Sequence, residues 1–158
     1  MHKTKNDISK TNREKLIKIL NERLADATDL KSQAKHAHWN VKGIHFFQLH
    51  ELFDQVATAV EAHIDLIAER ATALGGTALG TIRTAAHNSS LSEYPLEITE
   101  GRDHADALST ALAEFGKKVR ASIDESDDLD DKDTADLFTE VSREIDKLLW
   151  FVEAHIQE

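Results

Sequence analysis

A chain of 158 residues is the size of one domain and can bury a sizeable single core. It has no cysteine, which excludes disulfides and thiolate metal sites, and its net charge of −10 argues against a general affinity for nucleic acid or anionic membranes. No apolar run approaches the ~20 residues of a membrane span, and the opening MHKTKNDISK has no signal-peptide hydrophobic region, so the expected location is cytoplasmic.

The charge is uneven along the chain. In residues 1–15, Lys3, Lys5, Lys10, Arg13 and Lys15 outweigh Asp7 and Glu14, a net +3 that leaves −13 on the remainder. Residues 1–11 read as a flexible basic tail, and residues 12–158 as one domain whose acidic body suits cations.

Four segments beyond the tail repeat apolar residues at helical spacing. The first carries Leu16, Leu20, Leu24, Ala27, Ala34 and Val41. The second carries Leu49, Phe53, Val56, Val60, Ile64, Ile67, Ala71 and Leu74, and closes on Gly75-Gly76, a helix stop. The third carries Ala105, Leu108, Leu112, Phe115, Val119 and Ile123; the fourth carries Leu137, Val141, Ile145, Leu148, Val152 and Ile156. Gly43 marks a short turn between the first two, and an acidic stretch of similar size separates the last two. The second and third are joined by a long link, roughly residues 75–98, within which residues 81–87 read as a short extra helix. Four helices with one long crossover predict an all-α, ferritin-like bundle, whereas an up-down-up-down bundle needs three short loops.

The second helix carries the most informative polar residues. With Phe53 at the centre of its buried stripe and 100° per residue, His50, Asp54, Asp65 and Glu69 fall at about 60°, 100°, 120° and 160°. All four share one flank. His50 with Asp54, and Asp65 with Glu69, are i,i+4 pairs that can each converge on one point. Imidazole nitrogen and carboxylate oxygen are suitable ligands for iron. The two pairs cannot converge together, because Asp54 and Asp65 lie about 16 Å apart along a helix. A twofold axis resolves this: His50 and Glu69 share a midpoint between residues 59 and 60, as do Asp54 and Asp65. Two antiparallel copies crossing there would bring His50 opposite Glu69 and Asp54 opposite Asp65, making two equivalent mixed sites. His38, which continues the first helix's stripe, fits as a further ligand. From spacing alone, a solvated acidic flank and a shared metal site are both open. A site in the bundle's own centre is not expected, since none of the nine histidines has Glu three residues before it.

At these positions the sequence resembles the Dps family, the miniferritins. The matching blocks are AHWNVKG (37–43), LHELFD (49–54), HIDLIAER (63–70) with LGG (74–76), YPLE (94–97) and DKLLWFVEAHI (146–156). The resemblance covers nearly the whole chain from about residue 12. It implies a hollow homododecamer whose ferroxidase centres take His38, His50 and Asp54 from one subunit and Asp65 and Glu69 from its neighbour. It also implies an enzyme that binds Fe2+, oxidises it preferentially with hydrogen peroxide, and stores the ferric mineral, protecting DNA from oxidative damage. Glu69 is the expected bridging or primary carboxylate. Trp39 matches a tryptophan usually found near the centre; the resemblance implies that it absorbs stray oxidising equivalents, while core packing is its expected single role. His36 stands where many relatives have Gln, and is expected to be an exposed or interface residue away from the site.

Residues 124–133, DESDDLDDKD, hold seven acids in ten positions and read as a solvated loop with helix-capping aspartates. The resemblance suggests that acids here line an iron-entry pore, with Asp136, Asp128 and Asp133 as candidates. Lys3, Lys5 and Lys10 are the candidates for a non-specific DNA-binding tail. A protein that chiefly binds DNA in the nucleoid, with only minor iron handling, is the competing expectation.

Overall fold

The computed structural model describes residues 1–157 and contains five helices. They are α1 (Lys10–Asn40), α2 (Phe46–Ala73), α3 (Ile82–Asn88), α4 (Gly101–Asp128) and α5 (Lys132–Glu153). The four long ones form the bundle: α1 packs on α2 and α4, and α5 packs on α4 and α2. The short α3 sits in the crossover and packs on α1. The predicted all-α bundle with its long crossover is therefore the observed fold, and no helix among the described residues is long and apolar enough to cross a membrane.

The apolar stripes meet in one core. Phe53, Phe115 and Phe138 are its largest fully buried side chains, ringed by Leu16, Leu20, Leu24, Leu30, Ile67 and Leu112. The helices start and stop for local reasons. Ser9 caps α1 by accepting from the Asn12 amide, and Asp131 caps α5 by accepting from the Thr134 amide. Gly75, at φ +87°, ends α2 in the left-handed region open to glycine, and Gly43 at φ +103° turns α1 into α2.

Three expectations need correction. The domain boundary at residues 11 and 12 falls inside α1, which begins at Lys10. The segment before it is tied to the body: the His2 amide donates to the Gly75 carbonyl at 2.7 Å, and Ile8 packs on the core. The acidic stretch is mostly helix rather than loop. Asp124 to Asp128 finish α4, and only Leu129, Asp130 and Asp131 separate the helices. Ser122 and Ser126 bury the inner side of that last turn, so its acids are carried on the outer side of a continuing helix.

Buried charge joins the elements. Arg70 near the end of α2 donates to Asp131 at 2.7 Å and to Thr134 at 2.9 Å, and Asp131 is 2% exposed. Asp26 on α1 is fully buried, pairs with Arg23 at 3.0 Å, and accepts from the Ser90 amide at 2.7 Å just after α3. His63 on α2 is buried beside Glu144 on α5, at 2.9 Å.

Candidate metal centre

The turn at Gly43 folds α2 back along α1, and this places His38 on α1 beside His50 near the start of α2. Their rings stack with centroids 3.8 Å apart and planes 19° from parallel. The backbone bonds are reciprocal: His38 Nδ1 lies 2.7 Å from the His50 carbonyl, and His50 Nδ1 lies 2.9 Å from the His38 carbonyl. A carbonyl only accepts, so each Nδ1 carries a proton, and in the neutral form of the ring the lone pair lies on Nε2. That tautomer and a fixed ring orientation are what a metal-ligating histidine requires of its surroundings.

Asp54 stands one turn further along α2, and Lys35 donates to its Oδ1 at 2.6 Å. That hydrogen bond holds the Asp54 carboxyl below the usual carboxylate range, against a smaller opposing effect of burial. The carboxylate is therefore ionised at neutral pH and stays half-exposed.

Asp65 and Glu69 lie on the same unbroken helix, exposed, with no side-chain hydrogen bond or ion pair among the described residues. The structure thus pairs His38 with His50, has Asp54 near enough to feel both rings, and leaves Asp65 and Glu69 apart, about 16 Å along α2 from Asp54 to Asp65. Among the described residues no three His, Asp or Glu side chains of one chain come together as a metal site.

The remaining candidates lie elsewhere. Asp128 ends α4, Asp133 is in the first turn of α5, and Asp136 follows one turn on; all three are exposed, with Asp133 3.8 Å from Arg70. Lys3, Lys5 and Lys10 are exposed, and Lys10 pairs with Glu14 at 3.7 Å. Trp39 is 69% exposed, with Lys35 over its ring, so it is not a core residue within the chain. His36 is half-buried against the crossover, with its ring edge-on to Tyr94 at 5.2 Å. Tyr94 in turn bonds the fully buried His104 at 2.7 Å. No helical spacing could have announced that last pair, because Tyr94 lies in irregular chain.

The fold and the donor set point to a class that the comparisons make explicit: residues 17–158 match the family model of the ferritin-like domain. The DNA protection during starvation protein of Agrobacterium fabrum is 47% identical over 157 residues, covering 99% of this chain and 97% of that protein. The structure described as the tetragonal form of Mycobacterium smegmatis Dps superposes with a TM-score of 0.94 at 29% identity, covering 100% of this chain and 95% of that one. Dps from Microbacterium arborescens, solved in what is described as its high iron form, gives a TM-score of 0.88 at 28% identity, covering 98% and 99%. This chain belongs to the Dps family.

Proposed function

We propose that the protein is a Dps-type ferroxidase and iron store. It binds Fe2+ between two copies of the chain, oxidises it preferentially with hydrogen peroxide, and keeps the ferric product inside a hollow dodecamer. The observation that carries this reading is the reciprocal histidine pair, which engages both Nδ1 atoms with backbone carbonyls and so leaves Nε2 of each ring as the ligating nitrogen, near an ionised carboxylate. The high iron form of a relative that shares 28% of its sequence supports iron as the metal.

In this reading His38, His50 and Asp54 hold iron from one subunit, and Asp65 and Glu69 complete the site from the next. Two Fe2+ reduce one hydrogen peroxide to two waters, with uptake of two protons. Three carboxylates bind Fe3+ more strongly than Fe2+ and so favour the oxidised product. The exposed apolar residues Trp39, Ile82 and Leu96, at 69%, 82% and 69%, support an assembly that covers them. Asp128, Asp133 and Asp136 are the proposed iron-entry acids, since clustered negative charge concentrates cations. DNA is protected here by removing iron and peroxide together, in a cytoplasmic setting.

Complementation tests the shared site. One variant carries His38→Ala and His50→Ala, and the other carries Asp65→Ala and Glu69→Ala; each alone is expected to be inactive when ferric absorbance is followed after Fe2+ and peroxide. Dissociated and reassembled in equal amounts, half the dimers are mixed and each keeps one whole site, so about a quarter of the wild-type rate returns. No recovery in a correctly reassembled mixture would sink the shared site.

Direct DNA binding is the second reading, favoured by the exposure of Lys3, Lys5 and Lys10. Contacts of that kind weaken steeply with salt. A gel shift at two salt concentrations, with and without residues 1–10, decides it.

A further inference from the structure

His63 on α2 is 2% exposed, and neither nitrogen of its ring has an aligned hydrogen-bond partner among the described residues. Leaving a buried polar ring unpaired is costly. The nearest charged group is Glu144 on α5, whose Oε2 lies 2.9 Å from His63 Nε2. Glu140, one turn earlier on α5, also acts on the ring, and both glutamates are exposed to solvent. Burial outweighs the pull of the two carboxylates and holds the ring below the usual histidine range, so at neutral pH it keeps a lone pair to offer.

We propose that His63, Glu144 and Glu140 hold one divalent transition-metal ion per chain, at a site that a single chain completes. A close contact without hydrogen-bond alignment is what two ligands of one ion show. Atoms about 2.1 Å from a metal on adjacent corners of an octahedron lie about 3.0 Å apart, and His63 Nε2 and Glu144 Oε2 are 2.9 Å apart. Glu140 and Glu144 are an i,i+4 pair whose carboxylates can converge, and the exposed Glu140 side chain reaches the ion by changing rotamer. Solvent fills the remaining positions. One imidazole and two carboxylates suit Fe2+, Mn2+, Co2+ or Zn2+, whereas Mg2+ and Ca2+ prefer oxygen alone.

The site is separate from the proposed shared centre and does not depend on the ferroxidase reading. His63 follows Asp54 by nine residues, which at 100° per residue carries it about 180° round α2. It precedes Asp65 by two residues and points about 160° away from it. Asp54 meets Lys35 of α1, while His63 meets α5. An ion here would tie α2 to α5, two turns from the place where Arg70 already ties them through Asp131 and Thr134. An ion that binds only the folded chain stabilises it, so metal loading and the rigidity of this helix pair are linked.

The test begins from a chain carrying His50→Ala and Asp65→Ala, which removes the shared centre and leaves this site intact. The assembled protein is dialysed against Co2+ and its bound metal counted, and crystals soaked in Co2+ are searched for anomalous density. A peak about 2.1 Å from His63 Nε2 is expected. Adding Glu140→Gln and Glu144→Gln should lower the count by one ion per chain. Both side chains are exposed, so these changes leave the core undisturbed. His63→Gln, checked for folding by circular dichroism, should lose the same ion. The absence of a peak at His63, a peak on the glutamates alone, or a count unchanged by the two glutamate substitutions would overturn the site.

Discussion

Lys35 and Asp54 are joined across the contact between α1 and α2, with Nζ donating to Oδ1 at 2.6 Å. The bond keeps the one carboxylate beside the two stacked histidines in its ionised form, below the ordinary carboxylate range. Lys35→Met removes both the donor and the charge, so the folded-state pKa of Asp54 rises. The acid limb of the iron-oxidation rate against pH is therefore expected to move to higher pH, with little change near neutrality. An unmoved limb would mean that Lys35 does not set the ionisation of the site.

His38 and His50 fasten two helices as well as presenting nitrogen. His38→Ala deletes the bond to the His50 carbonyl and leaves the reciprocal bond in place, because the backbone carbonyl of residue 38 survives. Denaturant unfolding is expected to show a loss of about 1 kcal/mol, the net worth of one hydrogen bond. The larger effect should be on metal binding. Zn2+ is expected to raise the melting temperature of the wild type and to raise that of the variant much less.

Among the described residues, Arg70 alone brings positive charge to the buried Asp131 carboxylate. Burial alone would push the Asp131 carboxyl up, but bonds from Thr134 and Arg70 outweigh it and hold it below its usual range. A carboxyl depressed in the folded state contributes stability above its unfolded pKa, about 3.9, and loses it as pH falls through the folded value. Arg70→Gln should cost about 3–5 kcal/mol at neutral pH by leaving a buried charge uncompensated. Acid unfolding, followed by circular dichroism, should then begin at higher pH than in wild type.

Asp26 anchors the crossover to α1 through the amide and hydroxyl of Ser90. Asp26→Ala leaves Arg23 without its closest carboxylate and Ser90 without an acceptor. Hydrogen exchange is expected to speed up at Ser90 and its neighbours in the crossover, while the amides of α4 and α5 keep their protection. Uniform loss across the bundle would show that this contact holds the whole fold rather than one segment.

The bundle was legible in the sequence because amphipathic helices announce themselves locally: Leu16, Leu20 and Leu24, or Leu108, Leu112 and Phe115, recur at helical spacing and are buried. The stop at Gly75 and the short helix in the crossover were equally local. The extent of α4 was hidden, since acids at 124–128 resemble a loop until Ser122 and Ser126 are seen buried beneath them. The histidine–acid flank of α2 could be drawn from angles alone, but the reciprocal carbonyl bonds of His38 and His50 needed both helices in place. Trp39 was expected to pack into the core and does not, because its ring points out of the bundle of its own chain. The Tyr94–His104 contact joins irregular chain to a helix, and no periodicity encodes such a pair.

Helix α2 runs unbroken from Phe46 to Ala73, with donors near both ends. On the proposed pairing, each end serves a different centre, so the helix acts as a ruler whose length and phase both centres share. One residue inserted between Asp54 and Asp65 would rotate everything beyond it by about 100° and lengthen the rod by about 1.5 Å. Neither centre could then be assembled, although every ligand would still be present. Evolution can therefore exchange side chains along the middle of this helix, but it cannot change their number.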